Sequence, residues 1–281
     1  MTIRDAIALG ARTLMDVPDP QLDAVALLSD VTGDPPLSVR LNAQLPLTPE
    51  QEERFRSLLL LRAQREPLQY LLGTQWFYGL EFAVDPRVLI PRQETELLCE
   101  LALRCLRRLA TPRALDVCTG SGAIATVLKR EYPAARVTAT DLSADALTVA
   151  QKNAAQNGAE VRFLCGDLLA PVAGETFDLI VSNPPYIETA ACETLQPEVL
   201  REPRMALDGG PDGLAFYRRL ANEVPLCLVP DGDLLLETGD GQASDVARLL
   251  TETGNFYDVR IHTDLYRKER CVTARRAAFP T

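Results

Sequence analysis

Four short apolar runs mark the middle of the chain: A-L-D-V-C, R-V-T-A-T-D, V-R-F-L-C-G-D and F-D-L-I-V-S. Each stops abruptly in polar or glycine residues. Helical stretches over 95–109, 122–130 and 143–156 precede or separate the first three runs. A helix over 213–224, the run L-L-L-E-T-G and a helix over 242–253 continue the alternation, and two further strand candidates lie near 257–262 and 270–275. Strands and helices alternating at this spacing predict an α/β domain with a doubly wound, mostly parallel sheet and helices on both faces. In such a sheet a ligand sits beyond the carboxyl ends of the strands, so the residues that end each run are the ones to read for chemistry.

The first part of the chain has a different character. Ile3, Ile7 and Leu14 recur at helical spacing, as do Leu22, Val25, Leu28 and Val31, and then Phe55, Leu58, Leu59 and Leu61. Thr48-Pro49-Glu50-Gln51 predicts a helix start, with Thr48 as N-cap and Gln51 closing a capping box. These patterns predict a small helical domain over 1–74. The aromatic stretch around Gly79 predicts a β-hairpin linker over 75–92, either a packed connector or a functional element, and the α/β domain fills 93–281.

Composition narrows the classes of function. The net charge is −10, and the helical domain holds seven Arg, no Lys and ten acidic residues, which opposes nonspecific binding to a nucleic-acid backbone. The seven cysteines form no C-x-x-C pair, so neither a disulfide framework nor a structural metal site is expected. The sole histidine is His262, which leaves little for histidine-based catalysis. With no apolar run long enough to span a bilayer and no secretory signal pattern, the expectation is a cytoplasmic protein with no membrane partner.

The first apolar run leads into Asp116, Val117, Cys118, Thr119, Gly120, Ser121 and Gly122, and the second ends in Asp141. Gly120 and Gly122 allow a tight turn and close ligand approach. A carboxylate some twenty residues on suits the hydroxyls of a ribose. The pattern fits a dinucleotide or S-adenosylmethionine equally well. Asp116 favours the latter, since its charge would repel a phosphate and attract a sulfonium. The third run ends in Asp167-Leu168, where the acid could accept from an adenine amino group and Leu168 could cover the ring; an ordinary turn aspartate explains it as well.

The fourth run ends in Asn183-Pro184-Pro185-Tyr186. The Asn183 side-chain oxygen accepts hydrogen bonds, and the prolines have fixed φ and no N–H. Such a stretch presents acceptors, notably the Pro184 carbonyl, with the Tyr186 ring as a flat face. It would hold an NH2 group, either an amide or an exocyclic amine. Two fixed acceptors would then align the nitrogen lone pair with an incoming methyl group, without a histidine base.

D-V-C-T-G-S-G followed by N-P-P-Y resembles S-adenosylmethionine-dependent amino methyltransferases. Over nearly the whole chain the sequence is similar to the bacterial glutamine methyltransferases of peptide-chain release factors. The resemblance runs through R-E-P-L-Q-Y-L-L-G (65–73), F-Y-G-L-E-F (77–82), L-I-P-R-Q-E-T-E-L-L (89–98), E-P-R-M-A-L-D-G-G-P-D-G-L-A-F-Y (202–217) and L-L-L-E-T-G-D-G-Q (234–242). It implies the seven-stranded S-adenosylmethionine-dependent methyltransferase fold. It also implies methylation of the amide nitrogen of the Gln in the Gly-Gly-Gln loop of release factors, leaving S-adenosyl-L-homocysteine. The implied donor site is Asp116, Cys118, Thr119, Gly120, Ser121, Gly122, Asp141, Asp167, Leu168 and Asn183. The implied substrate site is Asn183, Pro184, Pro185 and Tyr186, with Asn183, Pro184 and Tyr186 carrying the chemistry. The helical domain would help hold the release factor, the protein would act as a monomer, and neither a metal nor direct nucleic-acid contact is expected.

Cys118 stands where that family usually has Gly, and φ < 0 is expected there. In E-P-R-M-A-L-D-G-G, Glu202 and Arg204 are expected to pair, and Asp208-Gly209-Gly210 to turn as a loop over the cleft. The rival reading is an adenine or rRNA exocyclic-amine methyltransferase. A nicotinamide-dependent oxidoreductase would leave Asn183–Tyr186 without a task, and a non-catalytic donor-binding module would tolerate loss of Asn183.

Overall fold

The computed structural model describes residues 1–278, so the last three residues of the 93–281 span lie outside it. The chain forms two compact units, one of Met1–Thr74 with Gln196–Arg201 and the other of Gln75–Leu195 with Glu202–Thr281.

The first unit holds α1 (Ile3–Thr13), α2 (Pro20–Thr32), α3 (Pro36–Leu41), α4 (Pro49–Ala63) and α5 (Leu68–Leu72). Both ends of the Thr48 capping box are made: Gln51 N–H donates to Thr48 Oγ1 at 3.2 Å, and Thr48 N–H to Gln51 Oε1 at 2.9 Å. Ile3, Leu14, Val25, Leu28, Val31, Phe55 and Leu59 enter one core. Leu22 and Leu61 are exposed instead, because each falls on the side of its helix away from the buried residues. The segment 196–201 joins this unit although it is remote in sequence. Arg62, buried on α4, donates from Nε to Asp23 Oδ2 at 2.7 Å and from Nη1 to Glu198 Oε1 at 2.9 Å. Arg65 adds Nε to Oε1 at 2.6 Å and Nη2 to Oε2 at 2.7 Å. Burial works against the charge on Glu198, yet the Arg65 and Arg62 guanidinia hold its carboxyl down at about 2.

The second unit opens with a hairpin, β1 (Thr74–Phe77) and β2 (Leu80–Ala83). Tyr78 and Gly79 both have φ > 0, the backbone of a two-residue type I′ turn. The strands end at Ala83, short of the 92 expected, and an irregular segment follows. It is tied down by Asn153, which accepts from Ala83 N–H at 2.7 Å and donates to Ala83 O at 3.0 Å.

Then come α6 (Thr95–Leu106), β3 (Arg113–Val117), α7 (Ala123–Glu131), β4 (Arg136–Asp141), α8 (Ala144–Gln156), β5 (Val161–Cys165), β6 (Phe177–Ser182), α9 (Ala215–Glu223), β7 (Leu228–Glu237), α10 (Ala243–Glu252), β8 (Phe256–Thr263) and β9 (Glu269–Arg276). The seven-stranded sheet has the order β5-β4-β3-β6-β7-β9-β8. It is parallel except for β9, which runs antiparallel to both β7 and β8. Central strands buried on both faces, such as Leu115–Val117 and Leu179–Val181, read as continuous apolar runs, as a parallel sheet requires. From β3 the chain winds outward to β4 and β5; from β6 it winds the other way to β7. The order therefore reverses between β3 and β6, and the crevice for a ligand opens at their carboxyl ends.

Candidate functional site

The residues after β3 and β6 meet at that crevice. A cavity of about 260 Å³ there is walled by Cys118, Thr119, Gly120 and Ser121 from the first turn and by Asn183 and Pro185 from the second. Asp141, Asp167 and Leu168 complete the strand-end set. Ile124, Leu142 and Phe216 give it apolar surface, and Arg87, Val88, Leu89, Pro91 and Arg92 of the segment after the hairpin line another side.

The turn after β3 is built by backbone hydrogen bonds: Thr119 N–H to Thr140 O at 3.0 Å and Gly122 N–H to Thr119 O at 2.9 Å. Asp116 lies beneath it, fully buried, and not in the cavity wall. Its Oδ2 accepts from Thr119 Oγ1 at 2.6 Å and Ala125 N–H at 3.2 Å, while Oδ1 has no partner among the described residues. Burial pushes this carboxyl up to about 7. The two glycines divide their work. Gly120, at φ +54, faces open space and allows a ligand to approach its backbone; Gly122, at φ +78, is where α8 packs, and a Cβ there would sit 2.9 Å from Ala150 Cβ.

Cys118 has φ +62, opposite in sign to the expectation. The hydrogen bonds on either side force the strand to turn left-handed here, and an L-residue in that region carries a strain of roughly 1–2 kcal/mol. The turn is nonetheless intact. Burial pushes the Cys118 thiol well up, so it is a neutral wall residue.

Asp141 Oδ2 accepts from Gly120 N–H at 2.8 Å and Oδ1 from Ser143 N–H at 2.9 Å, which fixes the carboxylate. A carboxylate oxygen has two lone pairs, so each oxygen retains one for a ligand hydroxyl. Asp167 is engaged by a fork from Arg219, Nη1 to Oδ1 and Nη2 to Oδ2, both at 2.9 Å. Beside it Leu168, at φ +46, is buried and lines the cavity.

Of the four residues after β6, Asn183 and Pro185 line the cavity and Pro184 and Tyr186 do not. Asn183 Nδ2 donates to Thr95 Oγ1 at 3.3 Å. Tyr186 packs on the core between the sheet and α9–α10, and burial pushes its phenol up to about 12. Its backbone carbonyl accepts from Gln242 Nε2 at 2.9 Å.

The E-P-R-M-A-L-D-G-G-P-D-G segment braces this stretch. Ile187 N–H donates to Leu207 O at 2.9 Å, and Gly209 N–H to Ile187 O at 2.7 Å. Gly209 lies so close that a Cβ would be 2.7 Å from Tyr186 Cα. The expected Glu202–Arg204 pair is not formed, because the two side chains diverge across Pro203. Glu202 is buried, accepts from Ile90 N–H at 2.9 Å and pairs with Arg92; Arg204 is exposed and pairs with Glu193 and Asp208. Pro203, Met205, Ala206 and Asp208 reach the cavity wall.

Sequence reasoning missed Thr95 and Glu237. Glu237 ends β7 and is 2% exposed. Its signal is the one used for the other strands, an acid at the carboxyl edge of the sheet. His262 lies on β8, its Nε2 2.9 Å from Thr273 Oγ1, and takes no part in the cavity.

Comparison with known proteins adds a family. Residues 93–212 match the model described as Methyltransferase small domain, and residues 5–73 the one described as PrmC N-terminal domain. A release factor glutamine methyltransferase of Geobacter sulfurreducens is 47% identical over 239 residues, covering 85% of this chain and 84% of that protein. Another of the same name, from Deinococcus radiodurans, is 44% identical over 279 residues, 99% of each chain. The crystal structure of a methyltransferase from Pyrococcus furiosus superimposes with a TM-score of 0.53 at 20% identity, over 71% of this chain and 90% of that one. The sheet order and this likeness show the S-adenosylmethionine-dependent methyltransferase fold.

Proposed function

Since the chain belongs to the release factor glutamine methyltransferase family and is a methyltransferase, we propose that it methylates the side-chain amide nitrogen of the Gln in the Gly-Gly-Gln motif of peptide-chain release factors. S-adenosyl-L-methionine is the donor and S-adenosyl-L-homocysteine the product. The observation that carries the reading is the meeting of Asn183 with the Cys118–Ser121 turn in one cavity, with the Asn183 NH2 engaged by Thr95 Oγ1.

The residues present fit the donor. Gly120 leaves room at the turn, Asp141 has lone pairs for ribose hydroxyls, and Leu142, Leu168 and Phe216 offer apolar cover for an adenine. Asp167, held by Arg219, has lone pairs left for an exocyclic amine. When bound, the donor supplies an electrophilic methyl carbon on a sulfonium. The protein's task is to present a nitrogen to it in line. Asn183 Oδ1, at the cavity wall, accepts one amide hydrogen and aims the lone pair at the methyl carbon; Pro184 lies outside that wall, and its carbonyl is proposed for the second hydrogen on the chemistry of the stretch alone. With the donor bound, transfer of the methyl to nitrogen would leave the C–S electrons on sulfur, and the one proton the nitrogen loses would pass to water. This is positioning and electrostatic stabilisation, within reach of neutral acceptors. Pro185 supplies cavity wall, and Tyr186 anchors the stretch from the core side. The helical unit (1–74) recognises the release factor, the 75–92 segment links, and the remainder carries the chemistry. Neither nucleic acid nor a second copy is needed, and no helix among the described residues is long and apolar enough to cross a membrane.

The test is transfer of labelled methyl from S-adenosylmethionine to a purified release factor, to the same factor with its Gln replaced, and to ribosomal RNA. Label on the intact factor alone is expected. Label on both factors removes the Gln assignment, and label on RNA alone favours the base-methylating rival.

A further inference from the structure

Asn183 can act as an acceptor only if its amide is held the right way round. A primary amide has two orientations 180° apart, which place either Oδ1 or Nδ2 toward the cavity. Turned wrongly, it would set its own NH2 against the NH2 of the substrate. Something on the side away from the cavity must choose.

The parallel register of β6 and β7 pairs Ser182 with Leu236, so Asn183, just past β6, and Glu237, the last residue of β7, follow side by side. The Thr95 hydroxyl and the Asn183 amide both face the Glu237 carboxylate, and their hydrogen bonding favours its charged form. Asn183 Nδ2 also donates to Thr95 Oγ1. The Thr95 hydroxyl, which accepts from Asn183, keeps its own proton for the acid. Glu237 Oε2 is buried without a hydrogen-bond partner among the described residues, so the acid has acceptor capacity to spare. An ionised carboxylate accepts and cannot donate, which makes it selective for the NH2 face of Asn183.

We infer that Glu237, with Thr95, is a positioning residue that locks the Asn183 amide with Oδ1 toward the substrate nitrogen. This deepens the glutamine-methylating reading and rests on it. A protonated acid, or a glutamine, presents a donor that pairs equally well with Oδ1, and the lock is lost. Burial pushes Glu237 up to about 7, so the lock engages as pH rises through neutrality. The other titratable groups around it are Glu94 and Arg270, whose charges act on it directly, and Cys99, Tyr186, Tyr217 and Cys271. Both thiols and both phenols are pushed upward by burial and stay neutral across this range.

The experiment compares the full chain with Glu237→Gln and Thr95→Val. It measures kcat, KM for a release factor and Kd for S-adenosylmethionine between pH 5.5 and 8.5 (roughly one and a half units either side of neutrality). Unaltered protein should show kcat rising through about pH 7. Glu237→Gln should lose roughly 10- to 100-fold in kcat, with donor Kd within about threefold and no pH step. Thr95→Val should lose less and keep the step. A Glu237→Gln variant with unaltered kcat, with kcat and donor affinity lost together, or with the pH step intact overturns the inference. A second readout needs no substrate: the Asn183 side-chain amide resonances should titrate near neutrality in the unaltered protein and not in Glu237→Gln. Titration in both, or in neither, overturns it too. Absence of methyl transfer by the unaltered protein would refute the glutamine reading, and the resonance titration would still decide the lock.

Discussion

Gly213 offers a sharp test of how the Asn183–Tyr186 stretch is held. Its φ is +69, and a Cβ would overlap the Tyr186 carbonyl oxygen and lie 2.5 Å from Gln242 Nε2. Ordinary contact begins near 3.4 Å, so alanine must drive these groups back by about 0.9 Å, and the Gln242–Tyr186 hydrogen bond cannot survive that. The left-handed strain is roughly 1–2 kcal/mol, offset by about 0.4–1 from a less flexible unfolded chain. The broken hydrogen bond adds about 1–3 kcal/mol. Gly213→Ala should therefore destabilise by roughly 2–4 kcal/mol, lowering Tm by some 5–12 °C for a unit of this size. Gly174 is the control, since it has φ +83 and nothing within 4 Å. Gly174→Ala carries the same backbone term alone, about 0.5–1 kcal/mol. Turnover should separate the two further, because displacing the stretch by about 1 Å costs up to a hundredfold in rate. Thermal unfolding and kcat on both variants settle the point: equal Tm losses with unaltered turnover would refute the brace.

Three further outcomes follow from the charges. Asp141→Asn puts an NH2 where carboxylate oxygens now meet Gly120 and Ser143 N–H, and should weaken donor binding by about 1.5–3 kcal/mol, roughly ten- to hundredfold in Kd by calorimetry; an unaltered Kd removes Asp141 from the donor site. Glu237 is raised in the folded state from 4.5 to about 7, so its favourable contribution is complete below about pH 4.5 and is lost as pH rises through 7. The loss is on the order of 3 kcal/mol, and Glu237→Gln, neutral throughout, should gain Tm over the unaltered protein above pH 7; parallel Tm–pH curves would contradict this. The structure thus sets stability against function at one carboxyl. Glu198→Ala frees the segment Gln196–Arg201 from Arg62 and Arg65, costs about 1.5–3 kcal/mol, and should raise amide exchange in that segment first; uniform exchange would show that the ion pairs do not pin it.

Much of the catalytic fold was legible because each central strand ends in its own punctuation, and the Thr48 box declared its helix. Strand order was not, since no local pattern says that β6 returns to the far side of β3. Asn183 could be read as an acceptor from its two prolines. The partners that orient it could not, because Thr95 lies 88 residues away and meets it only through the sheet order. Glu198 escaped for the same reason: its partners are 133 and 136 residues distant. The sign of φ at Cys118 is set by the hydrogen bonds that close the turn, which residue type does not disclose. Glu202 and Arg204, two residues apart, find separate partners, so proximity in sequence does not give contact.

The central claim is that Asn183 acts on the substrate amide and not chiefly on the donor. Single-turnover methyl transfer by Asn183→Ala, measured beside its Kd for S-adenosylmethionine, tests this most directly. The account predicts a fall of roughly 100- to 1000-fold in the transfer rate, as for loss of one preorganised polar group, with Kd altered less than about threefold. Rate and affinity falling together would make Asn183 a donor contact and contradict it.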